Sequence, residues 1–133
     1  MKLCRLFISF LITAFFITGC IGYVNQETPL KFASRFYQNM ADNKADEVFA
    51  MFDLSDLSEE EAPLLQSKLI LLVAEISKEI NAQGGIERVE IIDQTAQDDG
   101  RKVNLDLLIH FGDGSSKNDH MQLIKTDTGW KIT

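Results

Sequence analysis

The first half of the chain alternates hydrophobic and polar residues with the period of an α-helix. The first predicted helix begins at Thr28 and Pro29, with Thr as the N-cap and Pro in the first helical position. Its apolar residues share one face, at i, i+4, i+5 and i+8: Phe32, Phe36, Tyr37 and Met40. A second, shorter helix is predicted over residues 44–52.

The third predicted helix begins at a capping box. Ser58 is its N-cap and Glu61 its N3 residue, and Leu57 precedes them in the staple position. An apolar stripe then keeps the 3.6-residue period until Gly84 and Gly85 end the helix. The stripe comprises Leu65, Leu69, Leu72, Val73, Ile76 and Ile80.

Beyond these glycines the period changes to two, which is typical of strands. Strands are predicted over residues 86–95, 103–111, 119–125 and 130–133, separated by turns rich in Asp and Gly. Three helices followed by a meander of four strands predict an α+β fold, with the helices on one face of an antiparallel sheet.

The turn between the second and third strands sets their register. A three-residue loop over residues 112–114 places Met121 opposite Leu105, whereas a two-residue turn would bury polar residues, so we expect the first register. It puts His120 opposite Asp106 on the other face of the sheet. That face is a candidate homodimer contact, formed by Asp106, Leu108, His120, Gln122 and Ile124.

The N-terminus has the pattern of a secretory signal. Lys2 and Arg5 supply positive charge, and residues 6–17 are apolar except for Ser9 and Thr13. A bilayer-spanning helix needs about 20 apolar residues, so a cleaved signal over residues 1–19 is preferred to a permanent membrane helix.

The tetrapeptide Ile17-Thr18-Gly19-Cys20 resembles the lipobox of bacterial lipoproteins. The resemblance implies cleavage between Gly19 and Cys20 and acylation of Cys20 with chains such as palmitate, an anchor firmer than a single myristoyl group. Ile21, rather than Asp, favours the periplasmic side of the outer membrane in a Gram-negative host. We expect a tether over residues 20–28 and one domain over residues 29–133; a plain signal peptide is the alternative.

Charge and cysteine content limit the kinds of partner and ligand that the domain could bind. The 133-residue chain has 13 Lys and Arg against 20 Asp and Glu, a net charge of −7, so we expect no nucleic-acid partner. Cys4 and Cys20 both lie in the targeting segment, which leaves no cysteine for a disulfide or metal site in the domain. His110 and His120 have no third ligand at metal spacing, and we expect no metal and no other cofactor.

The domain also resembles a known family. Thr28-Pro29, Phe36-Tyr37, Gly84-Gly85-Ile86, Asp113-Gly114-Ser115 and Gly129-Trp130-Lys131-Ile132 follow the pattern of small bacterial lipoproteins with domain of unknown function 4878, in the cystatin-like, nuclear transport factor 2-like superfamily. The resemblance implies a cone, in which a curved sheet wraps a long helix and can leave a pocket at the wide end. The matching positions are helix faces and turns, so they imply no catalytic residue.

Several residues are candidates for chemistry. A pocket enzyme of the ketosteroid isomerase kind needs an acid or base inside the cone, and Tyr37 and Asp53 are the nearest candidates. A core aromatic residue and a helix end are their structural alternatives. His120 and Asp106 could form a general-base pair, although a cross-strand ion pair is preferred. The acidic residues between 53 and 61 suit a helix N-terminus better than a Ca²⁺ site.

These observations together predict a lipid-anchored, non-catalytic protein of the cell envelope that binds an envelope protein or a small apolar ligand. A small pocket enzyme, an immunity-type inhibitor of a partner protein and a homodimer through the outer sheet face are the alternatives.

Overall fold

The computed structural model describes residues 27–133, which form three helices followed by four strands. The helices are α1 (Pro29–Ala41), α2 (Ala45–Ala50) and α3 (Glu61–Ala82). The strands are β1 (Ile86–Gln97), β2 (Lys102–Phe111), β3 (Ser116–Thr126) and β4 (Gly129–Ile132).

The strands form one antiparallel sheet in the order β1-β2-β3-β4, and the three helices pack against it around a single core. The predicted α+β fold is therefore confirmed. The predictions of a signal peptide, a lipobox and an acylated Cys20 lie outside the described residues. Within residues 27–133, no helix is both long enough and apolar enough to cross a lipid bilayer.

The side-chain hydrogen bonds of both predicted caps are present, although α3 begins at Glu61, with Glu60 as its N-cap, rather than directly after Ser58. The Thr28 hydroxyl accepts a hydrogen bond from the Lys31 N–H at 3.2 Å, and Pro29 opens α1. At the start of α3, the Ser58 hydroxyl accepts from the Glu61 N–H and the Glu61 carboxylate accepts from the Ser58 N–H, each at 3.2 Å. This reciprocal pairing is the predicted capping box.

The second helix is shorter than predicted because the chain after it is paired with β4. The Asp53 N–H donates to the Ile132 carbonyl at 2.7 Å, and the Ile132 N–H donates to the Met51 carbonyl at 2.8 Å. These bonds pull the backbone out of the helix after Ala50 and add a short parallel bridge between Phe52 and Ile132.

The predicted register of β2 and β3 is confirmed. The Phe111 N–H donates to the Ser115 carbonyl at 2.9 Å across a turn in which Gly114 has a φ of +89°, and Leu105 lies opposite Met121. Pairing continues to His110 and Ser116, so β3 begins three residues earlier than expected. All alternate side chains of β2 that were predicted to face inward are buried: Val103, Leu105, Leu107, Ile109 and Phe111.

The apolar stripe predicted on α3 is partly wrong. Leu69, Val73 and Ile80 are buried, but Leu65 and Leu72 are 38% and 53% exposed. The buried face of α3 instead includes a polar residue, Ser77. Ser77 and Asn81 donate to the carbonyl of Ala41 at 2.8 and 3.0 Å, which satisfies a carbonyl at the C-terminal end of α1. With Ser77 held on the buried side, part of the leucine-rich surface of α3 faces outward.

Candidate functional site

A cavity of about 490 Å³ lies between the two longer helices and one end of the sheet. Its walls come from α1, from the C-terminal half of α3 and from the strand ends around the β2–β3 turn. Seven of the lining side chains are apolar: Phe36, Met40, Ile76, Ile80, Ile86, Ile109 and Phe111. The helices and sheet therefore surround a space with an apolar wall that the described side chains leave unfilled.

Two turns approach each other closely beside the cavity. The Gly112 N–H donates to the Gly85 carbonyl at 3.0 Å, and the Asp113 N–H donates to the Gln83 carbonyl at 2.9 Å. A Cβ atom on Gly112 would lie 2.2 Å from the carbonyl oxygen of Gly84, so only glycine fits there. The turn after α3 is thus held directly against the β2–β3 turn.

The cavity also has polar lining residues. Its ionisable groups are Tyr37 on α1, Glu79 on α3, and Lys117 and Asp119 on β3, and its other polar lining residues are Gln83, Ser115 and Ser116. Lys117 and Asp119 lie opposite Ile109 and Leu107, two core-facing residues of β2. Because directly opposed residues point to the same side of a sheet, both charged side chains project towards the helices.

Tyr37 and Asp119 form a hydrogen-bonded pair at the cavity wall. The Tyr37 hydroxyl donates to the Oδ2 atom of Asp119, and the Asp119 Oδ1 atom accepts the N–H of His120 at 2.8 Å. Burial, and then the hydrogen bond and the negative charge of Asp119, raise the pKa of Tyr37 well above its usual range. The phenol is therefore neutral at physiological pH. Its proton stays on the Tyr37 oxygen and is donated in the hydrogen bond to the Asp119 carboxylate.

A second depression, of about 340 Å³, lies on the other side of this pair. It shares Phe36, Tyr37 and Asp119 with the first and also contacts Phe52 and Ile132. β4 pairs with the segment from Leu123 to Thr126, so among residues 27–133 no strand pairs with the outer side of the first half of β3.

Of the two residues predicted for a pocket, the structure places only Tyr37 in the cavity wall. Asp53 lines neither depression. Its carboxylate accepts the N–H of Ser55 at 3.2 Å, and its own N–H is bonded to Ile132, so it shapes the turn after α2. The acid beside Tyr37 is Asp119, which the sequence analysis did not single out.

The five residues predicted for a sheet contact lie on the face that points away from the helices. His120 Nδ1 is 3.0 Å from Asp106 Oδ1, and both side chains are more than half exposed. Leu108, Gln122 and Ile124 are half-buried on the same face. His120 and Asp106 thus form a cross-strand pair on an exposed face, and His120 does not line the cavity. In residues 27–133, no cluster of three or more His, Cys, Asp or Glu residues could hold a metal ion.

Comparison with known proteins places the fold in a family. A model of the domain of unknown function named DUF4878 matches residues 34–133. The chain belongs to this family. No curated protein matches the sequence.

Two solved structures resemble the present chain. The first is the crystal structure of a protein from Campylobacter jejuni, provisionally described as a nuclear transport factor 2-like transpeptidase; the two chains are 22% identical, with a TM-score of 0.71, over 80% of this chain and 97% of that one. The second is the solution structure of a SEC-C motif containing protein from Rhodopseudomonas palustris, 14% identical with a TM-score of 0.49 over 80% and 75% of the two chains. The first likeness confirms the nuclear transport factor 2-like fold.

Proposed function

We propose that the chain is a lipid-anchored protein of the bacterial cell envelope, whose cavity binds a small, largely apolar molecule without catalysis. The observation that carries the proposal is the cavity of about 490 Å³ between α1, α3 and the sheet. This volume lies within the ~300–1,000 Å³ that is typical of small-molecule sites. A ligand that fills it would cover the apolar surface that the lining side chains still expose to the cavity, and burial of apolar surface is the main driving force for such binding.

The side chains at the cavity favour binding over acyl transfer, the chemistry that the description of the Campylobacter protein suggests. A transpeptidase needs a nucleophile activated by a neighbouring base. The cavity offers the hydroxyls of Ser115 and Ser116. Ser115 donates to Asp113, and two hydrogen bonds from Ser115 lower the pKa of Asp113, which makes that carboxylate a weak base. These hydrogen bonds stabilise the hairpin turn and do not activate the serine.

The start of the domain suits an anchor at Cys20. The carbonyl of Glu27 accepts a hydrogen bond from the Trp130 indole at 3.0 Å, and its carboxylate pairs with Arg35 at 2.8 Å. The chain from Cys20 to Glu27 spans at most about 25 Å when extended. An acylated Cys20 would therefore hold the domain, and its cavity, close to the membrane surface.

Labelling with radioactive palmitate tests the anchor. We expect the full-length chain and a Cys4→Ser control to incorporate the label and a Cys20→Ser variant to lose it, because only Cys20 survives cleavage of the signal. Mass spectrometry of the N-terminal peptide should show the added acyl chains. An unlabelled wild-type chain, or label that persists in Cys20→Ser, would contradict the lipoprotein assignment.

Ligand capture with two matched variants tests the cavity. Ile76 is partly buried and lines the cavity, whereas Ile70 is 47% exposed on the same helix and does not. Full-length wild-type, Ile76→Trp and Ile70→Trp chains are purified from bacterial membranes in polymer-bounded nanodiscs, and small molecules are extracted and identified by mass spectrometry.

We expect one molecule to copurify with the wild type and with Ile70→Trp and to be lost from Ile76→Trp, because the indole occupies the cavity. Melting temperatures of the two variants within a few degrees of each other would show that both are folded. Equal recovery from all three chains would refute ligand binding in the cavity. A stoichiometric protein recovered with all three chains, in place of any small molecule, would favour the interaction role instead.

A further inference from the structure

The cavity carries more negative than positive charge. Its ionisable lining groups besides Tyr37 are the carboxylates of Glu79 and Asp119 and the ammonium group of Lys117. Among residues 27–133, neither carboxylate has a Lys, Arg or His nitrogen within ion-pairing distance. These lining groups therefore favour a cation over an anion, and the other side chains that line the cavity are mostly apolar.

The hydrogen-bonding groups of the Tyr37–Asp119 pair point to the same conclusion. A carboxylate has about four lone-pair positions, and Asp119 uses one for the Tyr37 hydroxyl and one for the N–H of His120. The only hydroxyl proton of Tyr37 is already donated, which leaves its oxygen as an acceptor. The pair thus offers a ligand acceptors and no donor.

We infer that the ligand is an amphiphile with a protonated amine head and an apolar body, bound with the amine on Asp119 and Tyr37 and the body between α1, α3 and the sheet. An ammonium group supplies three donors and a positive charge, which matches the unused acceptors and the net charge of the site. This inference rests on the proposed function, since it names the ligand class for the same cavity.

Three soluble probes that share an apolar body and differ in the head group test the inference: 2-phenylethylamine, 2-phenylethanol and 3-phenylpropionate. Each is titrated by isothermal calorimetry into the full-length chain in nanodiscs, with empty nanodiscs as the blank. We expect the amine to bind about threefold to tenfold more tightly than the alcohol, the range expected of a charged hydrogen bond to a partly exposed carboxylate. The carboxylate probe should bind most weakly.

Two variants assign the effect to the charge of Asp119. Asp119→Asn keeps an acceptor for Tyr37 and removes the charge, and should reduce the preference for the amine over the alcohol to about onefold. Asp127→Asn removes the same charge from the exposed β3–β4 turn, outside the cavity, and should preserve the preference.

Several outcomes overturn the inference. They are equal binding of amine and alcohol, no binding of the amine, an amine preference that survives Asp119→Asn, or tighter binding of the carboxylate that Lys117→Gln abolishes. Each would leave the proposed function standing if Ile76→Trp still releases the copurified molecule, because that experiment does not depend on the head group. Equal recovery in that experiment would remove the proposed function itself.

Discussion

Replacing Tyr37 by Phe removes one hydroxyl group and keeps the ring that packs edge-on against Phe36, with a centroid distance of 5.2 Å. The residue is 8% exposed, and its hydroxyl donates to Asp119. Hydrogen bonds to charged groups contribute about 1.5–3 kcal/mol, but this carboxylate is exposed to solvent. We therefore expect Tyr37→Phe to lower the free energy of unfolding by about 1 kcal/mol at neutral pH.

This cost should disappear in alkali, because the pKa of Tyr37 is raised in the folded chain. Above a pH of about 10, the unfolded chain loses the phenol proton while the folded chain keeps it. The contribution of the raised pKa is complete below that pH, and stability then falls by up to about 1.4 kcal/mol per pH unit. At a pH of about 11 the loss is about 1.4 kcal/mol, so the wild-type advantage over Tyr37→Phe should be gone.

Urea unfolding of chains that begin at Ile21, followed by circular dichroism at pH values of about 7, 9 and 11, measures this difference. The chain has two tyrosines, so a Tyr23→Phe variant lets tyrosinate absorbance report on Tyr37 alone. A stability difference that stays constant across this pH range, or ionisation of Tyr37 near pH ~10 in the folded chain, would refute the argument for a buried, Asp119-bound phenol.

Two further predictions concern the frame of the cavity. Gly112→Ala should destabilise the fold by about 2 kcal/mol or more, because the new Cβ would lie 2.2 Å from the carbonyl oxygen of Gly84. Thermal unfolding measures this loss of stability, and a near-neutral effect would contradict the close approach of the two turns. Ser77→Ala and Asn81→Ala should each cost about 1 kcal/mol, since each leaves the other donor on the Ala41 carbonyl. The double variant should lose about 1 kcal/mol more unfolding free energy than the two single variants together, because it leaves that carbonyl unpaired. Additive losses in urea unfolding would argue against a shared acceptor.

The parts of the fold that depend on local chemistry could be predicted from the sequence. A cap is a contact between residues three apart, so the Thr28 cap and the Ser58–Glu61 capping box could be predicted without any tertiary information. The β2–β3 register could be predicted for a similar reason. The length of one turn decides which residues oppose each other, and the other turn length would bury polar groups.

The orientation of α3 could not be predicted in the same way. The segment from Leu64 to Val73 contains so many apolar residues that its periodicity fits more than one face. The choice is made by a contact between distant residues, the hydrogen bonds of Ser77 and Asn81 to Ala41. A polar residue on an otherwise apolar stripe is normally interpreted as a break in it, whereas Ser77 is buried and lies on the side of α3 that faces the core.

The candidate site combines both situations. That Asp119 faces the core side follows from the register, since it lies opposite Leu107, two residues from the Leu105–Met121 pair that the sequence predicts. The contact between Tyr37 and Asp119 does not follow from the register. The two residues are 82 positions apart, and only the path of α1 across the sheet brings them together. Within residues 27–133, the first half of β3 pairs only with β2, and its inward-facing acid is within reach of solvent. A fully buried, inward-facing carboxylate would need a partner from the protein itself. Asp119 is instead exposed to solvent, and under the proposed function the same exposure would let a ligand reach it.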